Sequence, residues 1–333
     1  MTTEPERARW LALAARIADG DPIAWDAEGV EHEPDRELLG ALQLLDIIAS
    51  AKRRIQETAS LDLAQWGHLT ILEPVATGAS WVRCRAADPG LGEMTLLLAG
   101  PLDGDPTAVE RLLRHARAQT RLHHPNLPTV YGADYAQDRV GVWSEWNAGQ
   151  TLEQIVPAHG PLGASEAATI VCALAGAVDA FHQAGLVHGA VAPGSVTRSP
   201  DGRVVLAVSL LPPLPRDFHL APEILAGAPP APTSDVYGMG LTLHYLATGR
   251  YPSRSSAAQD APRLTSGVPR ALAPILDRAL AVDPAGRYAT VAEFEAAVRR
   301  AIRREGPGRD WMIGFAIAAL VVGLMLLLAW LNA

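Results

Sequence analysis

The segment SDVYGMGLTLHYLATGRYP, residues 234–252, decides the fold. Taken alone, 234–248 reads as a helix with Asp235 placed to cap its start. Working outward, it stands in a helix-rich half, because 151–156, 164–184, 269–281 and 290–304 also read as helices. From about residue 67 to Gln150 the pattern is different. Ile71–Pro74, Trp81–Arg85, Thr95–Leu98, Thr129–Tyr131 and Val140–Glu145 read as short strands, with one helix over Ala108–Leu122. A strand-rich part followed by a helix-rich part predicts an α+β, two-lobed domain.

The flanks are of another kind. Residues 5–18 and 35–58 read as helices, and Leu38, Leu39, Leu42, Leu45, Ile48 and Ala49 fall on one apolar stripe of the second. Such a stripe packs on the neighbouring domain or docks a partner. The start, MTTEPERARW, lacks the apolar core of a signal peptide. At the other end Met312–Leu331 is uncharged and apolar, with Trp311 and Trp330 at its edges. Such a run rises about 30 Å as a helix, the thickness of a bilayer's hydrocarbon core. It is expected to span a membrane. Arg299, Arg300, Arg303, Arg304 and Arg309 precede it, which places the bulk of the chain in the cytoplasm.

The formal net charge of −8 argues against a nucleic-acid partner, which would require a basic field. Cys84 and Cys172 lie far apart without metal-ligand spacing and read as two thiols in a reducing compartment.

Four segments, in order, resemble bacterial serine/threonine protein kinases: LHHPNLPTVYGA at 122–133, APEIL at 221–225, the quoted 234–252, and DPAGRY at 283–288. The resemblance runs across roughly 67–302. It implies that Glu223 pairs with Arg287, that Asp235 holds the backbone of the catalytic loop, and that Gly240 lets helices pack closely.

The same resemblance locates the positions at which kinases handle ATP and magnesium. The three glycine-loop positions become Ala76, Gly78 and Trp81, and the valine over the adenine becomes Arg83. The strand lysine becomes Leu98 and the adenine-pocket alanine Leu96. A slip of one residue restores no lysine, since Lys52 is the only one in the chain. The helix glutamate becomes His115. In LVHGAVAPGSV, 186–196, the catalytic Asp becomes Ala190, its adjacent lysine Ala192 and the magnesium Asn Ser195, while His188 remains as a packing residue. The magnesium Asp-Phe-Gly becomes Val208, Ser209 and Leu210, and only 211–220 separates it from APEIL. Asp179 and Asp201 are the nearby candidates for a replacement base, and both read as surface residues.

The expectation is therefore a two-lobed protein-kinase-like fold lacking catalytic residues: an N-terminal helical extension 1–66, a pseudokinase domain 67–304, a juxtamembrane linker 305–311 and a transmembrane helix 312–331. Its expected work is binding, as a signalling scaffold or allosteric partner of an active kinase or envelope complex at the inner membrane. No catalytic, cofactor-binding or metal-binding residue is assigned, and ATP is not expected to bind. The alternatives are a divergent serine/threonine kinase and a small-molecule sensor using the inter-lobe cleft.

Overall fold

The computed structural model describes residues 10, 12–16, 42, 64–77, 81–100, 102, 105–210, 220–252 and 267–305. The first lobe is a six-stranded antiparallel sheet of β1 (Gln65–Trp66), β2 (Leu69–Thr77), β3 (Trp81–Asp88), β4 (Gly92–Ala99), β5 (Val130–Ala136) and β6 (Arg139–Glu145), in the order β1-β2-β3-β4-β6-β5. Helix α1 (Pro106–Ala118) packs on β5 and β6. It starts where it does because the Asp105 side chain accepts the Thr107 N–H and Pro106 presets the first turn.

Alternation decides what each side of this sheet touches. In β3, Val82, Cys84 and Ala86 are buried together with Met94, Leu96 and Leu98 of β4, under Trp66 and Leu69. The other side carries Arg83 opposite Leu97 and Arg85 opposite Thr95. Leu97 packs with Ala116 of α1 and with Val208, on the side facing the second lobe. Leu96 and Leu98, expected in the cleft, therefore lie on the sheet's far side, and Thr95 and Leu97 take their place.

Trp66, assigned from the sequence to the N-terminal extension, is a sheet residue and almost wholly buried. Its ring lies so close over Gly141 that a Cβ there would sit 2.5 Å from Cη2. Glycine is required at 141 by this approach.

The second lobe begins with β7 (Gln150–Thr151), which pairs with β8 (Val196–Arg198), and that with β9 (Val204–Leu206). Its helices are α2 (Leu152–His159), α3 (Ala164–Gln183), α4 (Pro222–Leu225), α5 (Pro232–Thr248), α6 (Ala273–Ala279) and α7 (Val291–Glu305). Among the described residues α3 is the one helix long and apolar enough to cross a membrane. It is instead a core helix, with Ile170, Leu174, Val178 and Phe181 buried among α5 and α7 residues. Helix α5 is buried nearly all round and stops at Gly249, whose φ of 70° caps it. A Cβ on Gly240 would meet that of Ala279 at 2.8 Å, so this glycine sets the approach of α6 to α5.

Of the expected N-terminal helices, residues 10, 12–16 and 42 are helical, and Trp10, Leu13 and Leu42 are buried. The remainder of 5–18 and 35–58, the span 312–331, Gly78 and the stretch 211–219 lie outside the described residues.

The Arg287 guanidinium is buried and fully satisfied. Its five N–H groups go to Glu223 Oε1 and Oε2 (both 2.7 Å), Thr233 O, Ala281 O and Val282 O. Burial pushes the Glu223 carboxyl up, but the bonds from Arg287 and Ser234 outweigh it and hold it below the usual range. A lowered carboxyl contributes stability that is present above its unfolded value near ~4.3 and lost as pH falls through the folded value. Arg287→Met should cost roughly 3–5 kcal/mol by stranding Glu223. It should also flatten the acid limb of a plot of denaturation midpoint against pH.

Candidate functional site

The cleft between the lobes is built on one carboxylate. Asp235 is wholly buried at the start of α5. Its Oδ1 accepts the Gly189 N–H at 2.6 Å, and its Oδ2 accepts the His188 N–H at 2.9 Å and His182 Nε2–H at 2.8 Å. A buried carboxylate is tolerable only when so saturated. The three bonds fix the turn at 188–189, where Gly189 takes a φ of 73°. Gly238, one turn further along α5, has Val191 O 2.3 Å from where a Cβ would stand, so the loop lies directly on the helix.

His188 is a structural group here. Nε2–H donates to Ala207 O at 3.0 Å, Nδ1 accepts the Ala190 N–H, and the ring meets Phe181 edge to face. These partners define a neutral imidazole, and burial lowers its pKa. Beyond it, Ala190 presents only a methyl group. The Ser195 hydroxyl is occupied within its own turn, donating to Ala192 O and accepting the Ala192 N–H. Asp201 accepts the Arg203 N–H in an exposed turn, and Asp179 is held by Gln183 on the surface of α3. Neither joins the cleft.

The segment Val208–Leu210 is bound from both lobes. The Ser209 Oγ–H donates to His188 O at 2.5 Å. The amide of Gln119, just past α1, accepts the Ser209 N–H at 3.0 Å and donates to Ser209 O at 2.6 Å, all of it buried. A side-chain amide thus pairs with both backbone groups of one residue and ties the first lobe to the second. Nothing in the motifs pointed to Gln119. The available signal was a polar residue spaced with the buried Leu112 and Ala116 on one helical face. Two further ties are Asn126, whose Nδ2–H donates to Val204 O and whose carbonyl accepts the Leu206 N–H, and Arg203, which holds Glu145, Pro125 O and Leu127 O.

On the first-lobe side, Leu97, Leu113, Ala116 and Val142 pack with Val208 and Leu210 in one apolar cluster. His115 of α1 stands beside it with Nε2 buried and without a hydrogen-bond partner. Burial, with the neighbouring His188 adding to it, pushes its pKa down to about 4, so the ring is neutral. Trp81 and Arg83 are partly buried on β3. Arg85 bonds Glu73 and Glu93 and lies over the Trp146 ring at 5.5 Å, at the linker between lobes. In front of that linker is a cavity of about 790 Å³ bounded by Val75, Trp146, Gly149, Ile155, Arg198 and Pro200, among others.

No protein-family model matches the chain. Relatives are nonetheless found among bacterial kinases. The serine/threonine-protein kinase PknK of Mycobacterium tuberculosis is 32% identical over 268 residues, 72% of this chain and 24% of PknK. PrkC of Bacillus subtilis is 28% identical over 222 residues, 59% of this chain and 34% of PrkC. The chain thus spans about a quarter to a third of these relatives' lengths. Among solved structures, the M. tuberculosis PknI kinase domain superposes with a TM-score of 0.62 at 27% identity, covering 71% of this chain and 97% of that domain.

Gln119→Ala should strand both buried backbone groups of Ser209 and cost about 2–4 kcal/mol in urea denaturation. Gln119→Glu keeps the acceptor but sets a buried carboxylate against Ser209 O, so near neutral pH it should cost at least as much as Gln119→Ala, and the deficit should shrink as pH falls and the carboxyl gains a proton to donate. Equal stability of all three would mean that the tie contributes nothing.

Proposed function

Since the described residues form a protein-kinase fold whose relatives are bacterial serine/threonine kinases, we propose that this chain is a catalytically inactive member of that group that works by binding. The observation that carries the reading is the apolar cluster of Leu97, Ala116 and Val208. A kinase uses these surroundings for a lysine–glutamate pair and a magnesium carboxylate. Here strand, helix and loop bring together side chains that pack on one another.

The donor set does not fit a magnesium–nucleotide complex. Magnesium requires hard oxygen ligands, usually carboxylates. Ala190, Ser195 and Val208 offer one hydroxyl, and that is spent on Ala192. Among the described residues no three His, Cys, Asp or Glu side chains are gathered to hold a cation. The chain's one lysine, Lys52, stands outside the kinase-like segment, and at the helix-glutamate position α1 presents the neutral His115. Each missing electrostatic contact is worth roughly 3–4 kcal/mol of transition-state stabilisation. Their joint loss removes most of the rate enhancement that the fold supports elsewhere.

The scaffold, by contrast, is complete, which suits a protein whose output is a surface. The role we assign is a scaffold or allosteric partner, with an active kinase or an envelope complex as the partner class. The uncharged run 312–331 and the arginines before it would hold this surface at the cytoplasmic face of a membrane.

Two measurements test this. A ligand that binds adds ~2.7 kcal/mol of stability at ~100 times its Kd; without a nucleotide site, Mg-ATP at millimolar excess should leave the melting midpoint where it was. A magnesium-dependent rise would overturn the nucleotide-free cleft. The full chain should also stay in the membrane pellet after alkaline extraction, and deletion of 312–331 should release it. Retention of the truncated chain would remove that span as the anchor.

A further inference from the structure

Helix α1 carries a row of like charges. Arg111, Arg114, Arg117 and Arg121, along α1 and the turn Gln119–Arg121 that continues it, are spaced by three, three and four residues and share one exposed face. Leu112, Ala116 and Gln119 are buried on the other side. Like charges at this spacing destabilise a helix. Little offsets them, since Glu110 is the one acidic residue between 106 and 123. Arg114 pairs with it and Arg117 with Asp134 at 3.4 Å, but all four side chains are more than half exposed and such surface pairs are weak. Arg111 and Arg121 have no carboxylate partner among the described residues.

The complement of this row stands in the same chain. Residues 19–37, outside the described residues, hold eight carboxylates and one arginine, nearly the whole of the formal net charge of −8. On either side of that stretch Leu13 and Leu42 are buried, so both its flanks are packed. The extension then enters the sheet lobe close to α1. Trp66 Nε1–H donates to Ala136 O at 3.1 Å and the Gln137 amide donates to Gln65 O at 3.3 Å, both at the turn between β5 and β6. Three residues back along β5, about 10 Å, Ala133 O accepts the Arg117 Nε–H. The chain between 37 and 65 is long enough to cross that distance many times over. A tether of this kind holds the acidic stretch at high effective concentration beside the helix.

We propose that residues 19–37 dock, within the same chain, on the arginine row of α1 and cover the outer face of that helix. Carboxylates are the natural partners, because a guanidinium can give each of them two parallel N–H···O bonds. The docking does not depend on whether the cleft holds a nucleotide. It gives the N-terminal extension a role beyond packing, since an acidic partner of α1 has to displace it.

The test puts Val30→Cys and Glu110→Cys into the full chain and follows their coupling by a short bismaleimide, on denaturing gels and by mass spectrometry of the joined peptides. The native Cys84 and Cys172 are buried. A control pairs Val30→Cys with Asp179→Cys, on the surface of α3. Coupling of 30 to 110 within one chain should be at least about fivefold faster than the control. It should fall to the control in about 1 M salt, where charges are screened beyond about 3 Å. Arg111→Glu with Arg121→Glu should also bring it to the control, and adding Glu31→Arg with Glu33→Arg should restore most of it. Coupling no faster than the control, coupling that survives salt or the arginine reversal, or coupling only between two chains would each overturn the proposal. So would failure of the second reversal to restore it, which would point to a disturbed helix instead of a lost charge.

Discussion

A single buried carboxylate sets the geometry of the cleft. Asp235 has no exposure, and three donors from two segments converge on it. Because an unsatisfied buried charge is so costly, the loop at 188–189 has one low-energy position relative to α3 and α5. Everything downstream inherits it. His188 is fixed, its carbonyl takes the Ser209 hydroxyl, and Ser209 in turn is clasped by Gln119 from the other lobe. A continuous hydrogen-bonded path therefore runs from the centre of the helical lobe to the helix of the sheet lobe.

This path separates two properties that the fold usually delivers together. Holding a loop in shape needs saturated polar groups in the backbone and at helix starts. Moving a phosphoryl group needs charges aimed at the substrate. The chain keeps the first set, in Asp235 and in the saturated Glu223–Arg287 pair; on the function proposed above, Leu97, Val208 and Ala190 take the space of the second. An apolar cleft interior also gives the two lobes a packed interface. A fixed inter-lobe arrangement of this kind is what a binding surface spanning both lobes requires.

Much of this was legible in the sequence, for definite reasons. Glu223, Asp235, Gly240 and Arg287 sit in motifs whose spacing is set by helix packing, and the structure places each in its implied contact. The strand register was not legible. In TLLLAG, residues 95–100, three consecutive leucines erase the alternation that tells one side of a strand from the other. Only pairing with β3 and β6 shows that Leu97 faces the cleft and that Leu96 and Leu98 lie under Trp66. Gln119 was invisible for a different reason, since its partner is a backbone unit 90 residues away and leaves no trace in side-chain pattern. Arg83 was recognised as a substitution, but that its Nε is buried without a hydrogen-bond partner among the described residues is a property of three-dimensional surroundings.

If scaffold has been retained without phosphoryl transfer, the purified full chain can be incubated with γ-labelled ATP, magnesium or manganese, and a general protein substrate, beside a Val208→Ala, Asp235→Asn double variant as background. Label incorporation, into itself or the substrate, should be no greater than that background. Incorporation that rises with chain concentration and disappears in the double variant would contradict that loss of transfer.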